Sequence, residues 1–115
     1  MAFSELEKQE LRDEVFGIDE EIIALLAERR ERTGKLGLGK HEIGEPIEQP
    51  EQFARVQDHV RGFGETLGLE PEYLDPIWDK IHEGSVNHQY RVIAEAHAPT
   101  AEVPVVPQPS VNGTL

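Results

Sequence analysis

Residues 11–40 read Leu-Arg-Asp-Glu-Val-Phe-Gly-Ile-Asp-Glu-Glu-Ile-Ile-Ala-Leu-Leu-Ala-Glu-Arg-Arg-Glu-Arg-Thr-Gly-Lys-Leu-Gly-Leu-Gly-Lys. Leu11, Val15, Ile18, Ile22 and Leu25 step by four and three, the spacing of one apolar helix stripe. The same steps then land on Arg29, Arg32, Leu36 and, one turn on, Lys40. The stripe therefore begins apolar and turns cationic without losing phase, so Arg29 and Lys40 point the way the core residues point. A solvated surface helix would place these charges on its other face.

Working outward, Ser4-Glu5-Leu6-Glu7 has the form of a capping box, with serine at the N-cap and glutamate at N3. No proline interrupts residues 5–41, so one helix is predicted over that span. It would be about 55 Å long at 1.5 Å per residue, against a radius of gyration of about 13 Å for a compact domain of this size. One chain cannot bury such a stripe, and a homodimer is expected. Gly17, Gly34, Gly37 and Gly39 weaken the helix by roughly 1 kcal/mol each relative to alanine. A break near Gly34–Gly39, giving a monomer with two shorter helices, is the alternative.

Gly44 and Pro46 punctuate a loop over 42–49, and Pro50 suits the first position of a second helix. Its stripe is Phe53, Val56, Val60, Phe63 and Leu67, ended by Gly68. A third helix starts either at Pro71, with Pro76 inside it, or at Pro76 capped by Asp75. Its stripe is Leu74, Ile77, Ile81, Ser85, His88 and Val92, with Gln89 one turn past Ser85. Ser85 and Gln89 are polar on the core side, echoing Arg29 and Lys40. The fold class is therefore all-α, a three-helix protomer in an intertwined helical homodimer. Residues 1–97 form the helical domain. Residues 98–115, with Pro99, Pro104, Pro107 and Pro109, are expected to be a flexible extension.

Composition excludes several classes. The 115 residues carry a net charge of −12, which opposes nucleic-acid binding. No apolar run reaches the roughly 18 residues of a membrane span. The acidic start is not a signal peptide, and the absence of cysteine fits a reducing cytoplasm. Asn112-Gly113-Thr114 is a chance glycosylation match. The five histidines show no i,i+3 or i,i+4 pair, so a metal site is not expected. Against this acidity, Arg29, Arg30, Arg32, Lys35 and Lys40 concentrate five of the eleven cations in one stretch, which is either an anion site or a solvated face with i,i+4 pairs.

The stretch Leu11-Arg12-Asp13-Glu14 with Ile18 to Arg30 resembles the first helix of the all-helical chorismate mutases. Lys40 stands eleven residues after Arg29, and Pro46-Ile47 follows six after the lysine, as in that family. Leu67-Gly68-Leu69-Glu70-Pro71-Glu72-Tyr73 is similar to its second turn, and Ile81 to Gln89 to its third helix. The likeness covers roughly residues 5–92. It implies a cofactor-free [3,3] rearrangement of a small dianion of the chorismate class, in sites shared between the two chains of a dimer. By the same resemblance Arg29, Lys40 and Gln89 are catalytic. The implied substrate-binding set is Arg12 (from the partner chain), Arg29, Lys40, Gln49, Gln52, Phe53, Ser85 and Gln89.

Each residue also has a plainer reading. Arg12 can pair on a helix surface, Arg29 can snorkel from the end of the stripe, and Lys40 can meet a helix C-terminus. Gln89 can set dimer register, and Ser85 can be a small packing residue. The chain departs from the family at Gln49, Gln52 and Phe53, where the family has aspartate, arginine and glutamate. Phenylalanine cannot accept a hydrogen bond from the substrate's C4 hydroxyl. Phe53 is then plain core, or it faces the ammonium of 4-amino-4-deoxychorismate, or the chemistry is loss of pyruvate from isochorismate. Arg55 is expected on another face and so is a poor replacement for the missing arginine. A non-catalytic helical dimer is the reading from a different class.

Overall fold

The computed structural model describes residues 2–98; the proline-rich extension from Pro99 onward lies outside the described residues, and the expectation made for it with them. Three helices follow one another: α1 (Glu5–Glu42), α2 (Pro50–Thr66) and α3 (Pro71–Ala96). α1 runs unbroken through Gly34, Gly37 and Gly39, so the alternative of two short helices is set aside. Its first turn is closed by the expected capping box. Glu7 N–H donates to Ser4 Oγ at 3.0 Å, and Ser4 N–H donates to Glu7 Oε1 at 2.8 Å. Those two bonds satisfy amides that a helix start otherwise leaves open, and the Ser4 N–H, with the Ser4 hydroxyl beside it, holds the Glu7 carboxyl below its ordinary value. Lys40 and His41 occupy the last turn, where cations suit the helix dipole.

Pro50 and Pro71 open α2 and α3, at positions whose amides would have no helical partner. α3 takes the first of its two predicted starts and continues through Pro76. Gly68, at φ +78°, makes the tight turn after α2, a left-handed conformation that disfavours a side chain.

α3 packs on both other helices, while α1 and α2 do not pack on each other. Along α1 the contacts run in parallel with α3: Arg29 meets Ser85, Gly34 lies under His88, Gly37 lies under Gln89, and His41 meets His97 edge-on at 4.8 Å. Along α2 they run antiparallel: Phe53 stacks on His82, and Arg61 forks onto Asp75 with bonds of 3.0 and 2.8 Å. At Gly64 an added Cβ would run into the Leu74 side chain, so glycine lets the turn close. Leu74 is the single buried hydrophobic side chain among the described residues.

The protomer is consequently an open frame, with a radius of gyration of 21.7 Å. Leu11, Val15, Ile18, Ile22 and Leu25, the stripe that defines α1, are each 51–63% exposed in the single chain. The α2 stripe holds only in part: Phe53, Val56 and Val60 are half-buried, but Phe63 and Leu67 are exposed. Their exposure has a simple cause, since α2 rests on one helix instead of two.

Candidate functional site

Of the cationic half of the α1 stripe, Arg29 faces the polar half of the α3 stripe, whereas Arg32 and Leu36 are exposed and Arg32 pairs with Glu28. Arg29 Nη1 donates to Ser85 Oγ at 2.7 Å. Burial pushes the Arg29 guanidinium below its ordinary value, although it stays protonated at any physiological pH. No carboxylate lies within salt-bridge distance of Arg29 among the described residues. In a chain with net charge −12, a half-buried arginine without an acid partner is a poor surface ion-pair residue and a good anion ligand.

One turn beyond Ser85, Gln89 is 6% exposed, and its Oε1 has no hydrogen-bond partner among the described residues. A buried amide end left unpaired costs about 1–3 kcal/mol. Because amide oxygen and nitrogen are interchangeable by a flip, the same end of the side chain can present a donor. Gln89 is held there by Gly37: a Cβ at that position would stand 2.7 Å from both Cβ and Cγ of Gln89 and 3.2 Å from its Cα. The glycine thus allows α3 to approach the α1 backbone closely enough to seat the glutamine.

Lys40 lies eleven residues from Arg29, about 16 Å along the rod and almost in phase with it. Its Nζ donates to the Ile47 carbonyl at 2.9 Å, which draws the 42–49 loop back over the end of α1. An ammonium has three protons, so two remain for another acceptor. Arg29, Ser85 and Gln89 thus lie along the α1–α3 seam, and Lys40, near the end of α1, is tied to the loop that leads into α2.

The other four expected residues are placed differently. Gln49 donates to the Pro46 carbonyl at 3.0 Å and to Glu45 Oε1 at 3.4 Å, within its own loop. Phe53 is half-buried, and its ring stacks on His82 with centroids 3.8 Å apart, a packing role that uses one of its two faces. Gln52 is exposed on α2 and shares a cleft with Arg29. Arg12 is on the far half of α1, beside Phe3, Lys8, Leu11, Val15 and Phe16. Seventeen residues of helix separate it from Arg29, roughly 25 Å, so the two cannot meet one small ligand within a single chain.

The expectation for Arg55 is corrected. It lines the same open cleft, of about 430 Å³, as Arg29 and Gln52, together with His59 and Trp78. Its Nε donates to Gln52 Oε1 at 3.0 Å. Nothing in the sequence singles Arg55 out, because Glu51 and Asp58 stand at helical pairing distance from it. In the structure neither takes it: Arg55 has no carboxylate within 4 Å among the described residues. A second cleft of about 470 Å³ lies between α1 and α3 and places Arg29, Arg30 and Lys80 around Ile23, Ile81 and Gly84.

No group of three or more histidine, aspartate or glutamate side chains is placed to hold a metal ion among the described residues. No helix among them is long and apolar enough to cross a membrane.

Comparison with known proteins identifies a family for this chain. The family model of chorismate mutase type II matches residues 11–90, which span α2 together with most of α1 and α3. A bifunctional chorismate mutase/prephenate dehydratase of Buchnera aphidicola is 30% identical over 82 residues, covering 71% of this chain and 21% of that protein. The T-protein of Enterobacter agglomerans is 31% identical over 71 residues, covering 62% of this chain and 19% of the relative. The bifunctional chorismate mutase/prephenate dehydratase of Escherichia coli is 27% identical over 85 residues, with shares of 74% and 22%. The chain thus spans about a fifth of the length of these curated relatives.

Proposed function

Since the chain belongs to the chorismate mutase type II family, we propose that it isomerises chorismate to prephenate, as a cofactor-free homodimer with two sites shared between chains. The reaction is an intramolecular [3,3] rearrangement: the ether C–O bond breaks as a new C–C bond forms, and no proton or electron is exchanged with the protein. A catalyst for it needs to select a chair-like conformer and to favour the negative charge that grows on the ether oxygen.

The residues supply both. Arg29, oriented by Ser85, and Arg12 of the partner subunit would fork onto the two carboxylates. Lys40 and Gln89 would donate to the ether oxygen. Donors that grip more tightly as charge develops stabilise the transition state more than the substrate. A rate gain of about 10⁶ needs roughly 8 kcal/mol. Entropic positioning can supply most of that, and oriented donors the remainder. The single observation that carries this reading is the α1–α3 seam, where a half-buried arginine without an acid partner bonds Ser85 and, one turn along α3 from that serine, the buried Gln89 has an unpaired amide oxygen.

The dimer is supported by the bare α1 stripe. Five aliphatic side chains more than half exposed in line form a surface that monomers seldom leave open. Pairing two rods along it would bring Arg12 of the partner subunit towards Arg29.

The 4-amino-4-deoxy analogue, with a place in antibiotic-precursor synthesis, is the second substrate to test, and the observation favouring it is Phe53. Packed on His82, that ring offers no acceptor to a C4 hydroxyl. Incubating the purified protein with chorismate, 4-amino-4-deoxychorismate and isochorismate, with product masses recorded, decides among them. A rearranged product of unchanged mass is expected. Free pyruvate would replace the mutase with a lyase, and no turnover of any of the three would leave a non-catalytic dimer. Mixing Arg12→Ala with Lys40→Ala protomers should restore one intact site per hybrid dimer; no recovery would refute the shared site.

A further inference from the structure

We infer that Arg55, oriented by Gln52, is a second anion ligand of this site, contacting a carboxylate of the substrate that Arg29 also serves. The inference rests on the mutase reading for the identity of the substrate, but its grounds are geometric.

The cleft that Arg55 lines is bounded by Arg29 on α1, by Gln52, Val56, His59 and Val60 on α2, and by Trp78 on α3. It is lined by two arginines and by no aspartate or glutamate, in a protein where acids outnumber bases by 23 to 11. Neither arginine has a carboxylate within 4 Å among the described residues. A cleft lined by two cations that lack acid partners favours an anion, which can neutralise both at once. α1 and α2 do not pack together, so the space between them over α3 stays open to a small molecule.

Gln52 gives Arg55 its direction. Its Oε1 accepts from Nε at 3.0 Å, one turn away on the same helix. That bond occupies the inner nitrogen of the guanidinium and leaves both terminal nitrogens to form a fork, the geometry that recognises a carboxylate. Gln52 thus acts as a positioning residue, and Arg55 as the group that touches substrate.

The experiment compares the full chain with Arg55→Gln, Arg55→Lys and Gln52→Ala, reading KM and kcat separately with the substrate that proves active. Arg55 is exposed on α2, so folding is not at stake, and circular dichroism verifies it. Losing a charge-assisted contact should raise KM about ten-fold or more in Arg55→Gln, with kcat changed less. Arg55→Lys should recover part of the loss, since a point charge keeps the attraction without the fork. Gln52→Ala should give a smaller rise in KM, of about two- to five-fold. An unchanged KM in Arg55→Gln, in an active protein, overturns the inference and leaves the mutase assignment standing. Should the wild type turn over none of the three substrates, calorimetry with prephenate as the probe still decides: weaker binding by Arg55→Gln supports the anion site, and equal or absent binding overturns it.

Discussion

Gly37→Ala isolates the contact on which the α1–α3 seam depends. The added methyl would lie 2.7 Å from Cβ and Cγ of Gln89 and 3.2 Å from its Cα. Carbon atoms in good contact sit about 3.5–4.0 Å apart, so α3 has to retreat by roughly 1 Å. Backbone is among the atoms met, so a side-chain rotation alone does not relieve the clash. Overpacking of this kind costs about 1–3 kcal/mol, while alanine in place of glycine in a helix returns about 1 kcal/mol. Gly62→Ala on α2 supplies the reference, because a Cβ there meets nothing within 4 Å and shows the helix gain alone. The two variants, unfolded in urea at one protein concentration, should differ by about 1–3 kcal/mol, with Gly37→Ala the weaker. Activity should respond more strongly than stability. A misplacement of about 1 Å can cost about 10²-fold in rate, and it is Gln89, proposed as a transition-state donor, that moves. Equal stability and equal kcat in the two variants would refute the account of how the glutamine is seated.

Further outcomes are specific. Arg29→Lys keeps a charge but loses the fork and the Ser85 bond, and kcat/KM should fall by about 10²-fold or more, the scale of two charge-assisted hydrogen bonds, in a steady-state assay. Ser4→Ala removes one half of the capping box and should lower stability by about 1 kcal/mol in urea unfolding, with kcat unaffected. Arg61 holds the Asp75 carboxyl below its ordinary value of 3.8. A depressed carboxylate contributes stability above its unfolded pKa and loses it as pH falls through the folded one. Asp75→Asn should therefore be less stable than wild type at pH 7, with the gap closing below about pH 4; a gap that is constant down to pH 2 would show that the ion pair is not its source.

Much of the fold is legible because helix signals are local. The capping box at Ser4–Glu7, the proline-free run to Glu42, and prolines at the first positions of α2 and α3 each act within a turn of chain. The in-phase passage from Leu25 to Arg29 likewise picks out a residue that the structure turns towards α3, where it bonds Ser85. Relations between helices are less legible. Gly34 and Gly37 read as weak points of α1, whereas they are the places where His88 and Gln89 cross it. Phe63 and Leu67 carry the same periodic signal as Phe53 and Val56, yet they are exposed in the single chain. Arg55 escapes for a related reason: stripe arithmetic assigns faces about one helix axis, and this cleft is made by the gap between two helices.

The long uncovered stretch of α1 also bears on how the protein behaves when scarce. Residues 9–28 are exposed throughout, so within one molecule that segment is held by little beyond its own hydrogen bonds and a few pairs such as Gln9 with Asp13 and Arg32 with Glu28. Most of a helix's stability in a protein comes from packing its apolar face, and here that face is uncovered in the single chain. In the dimer proposed above, order there is a collective property. On dilution, output per molecule should fall, and the thinning should fray the rod's leading end before it disturbs the turn clamped by Arg61 and Asp75.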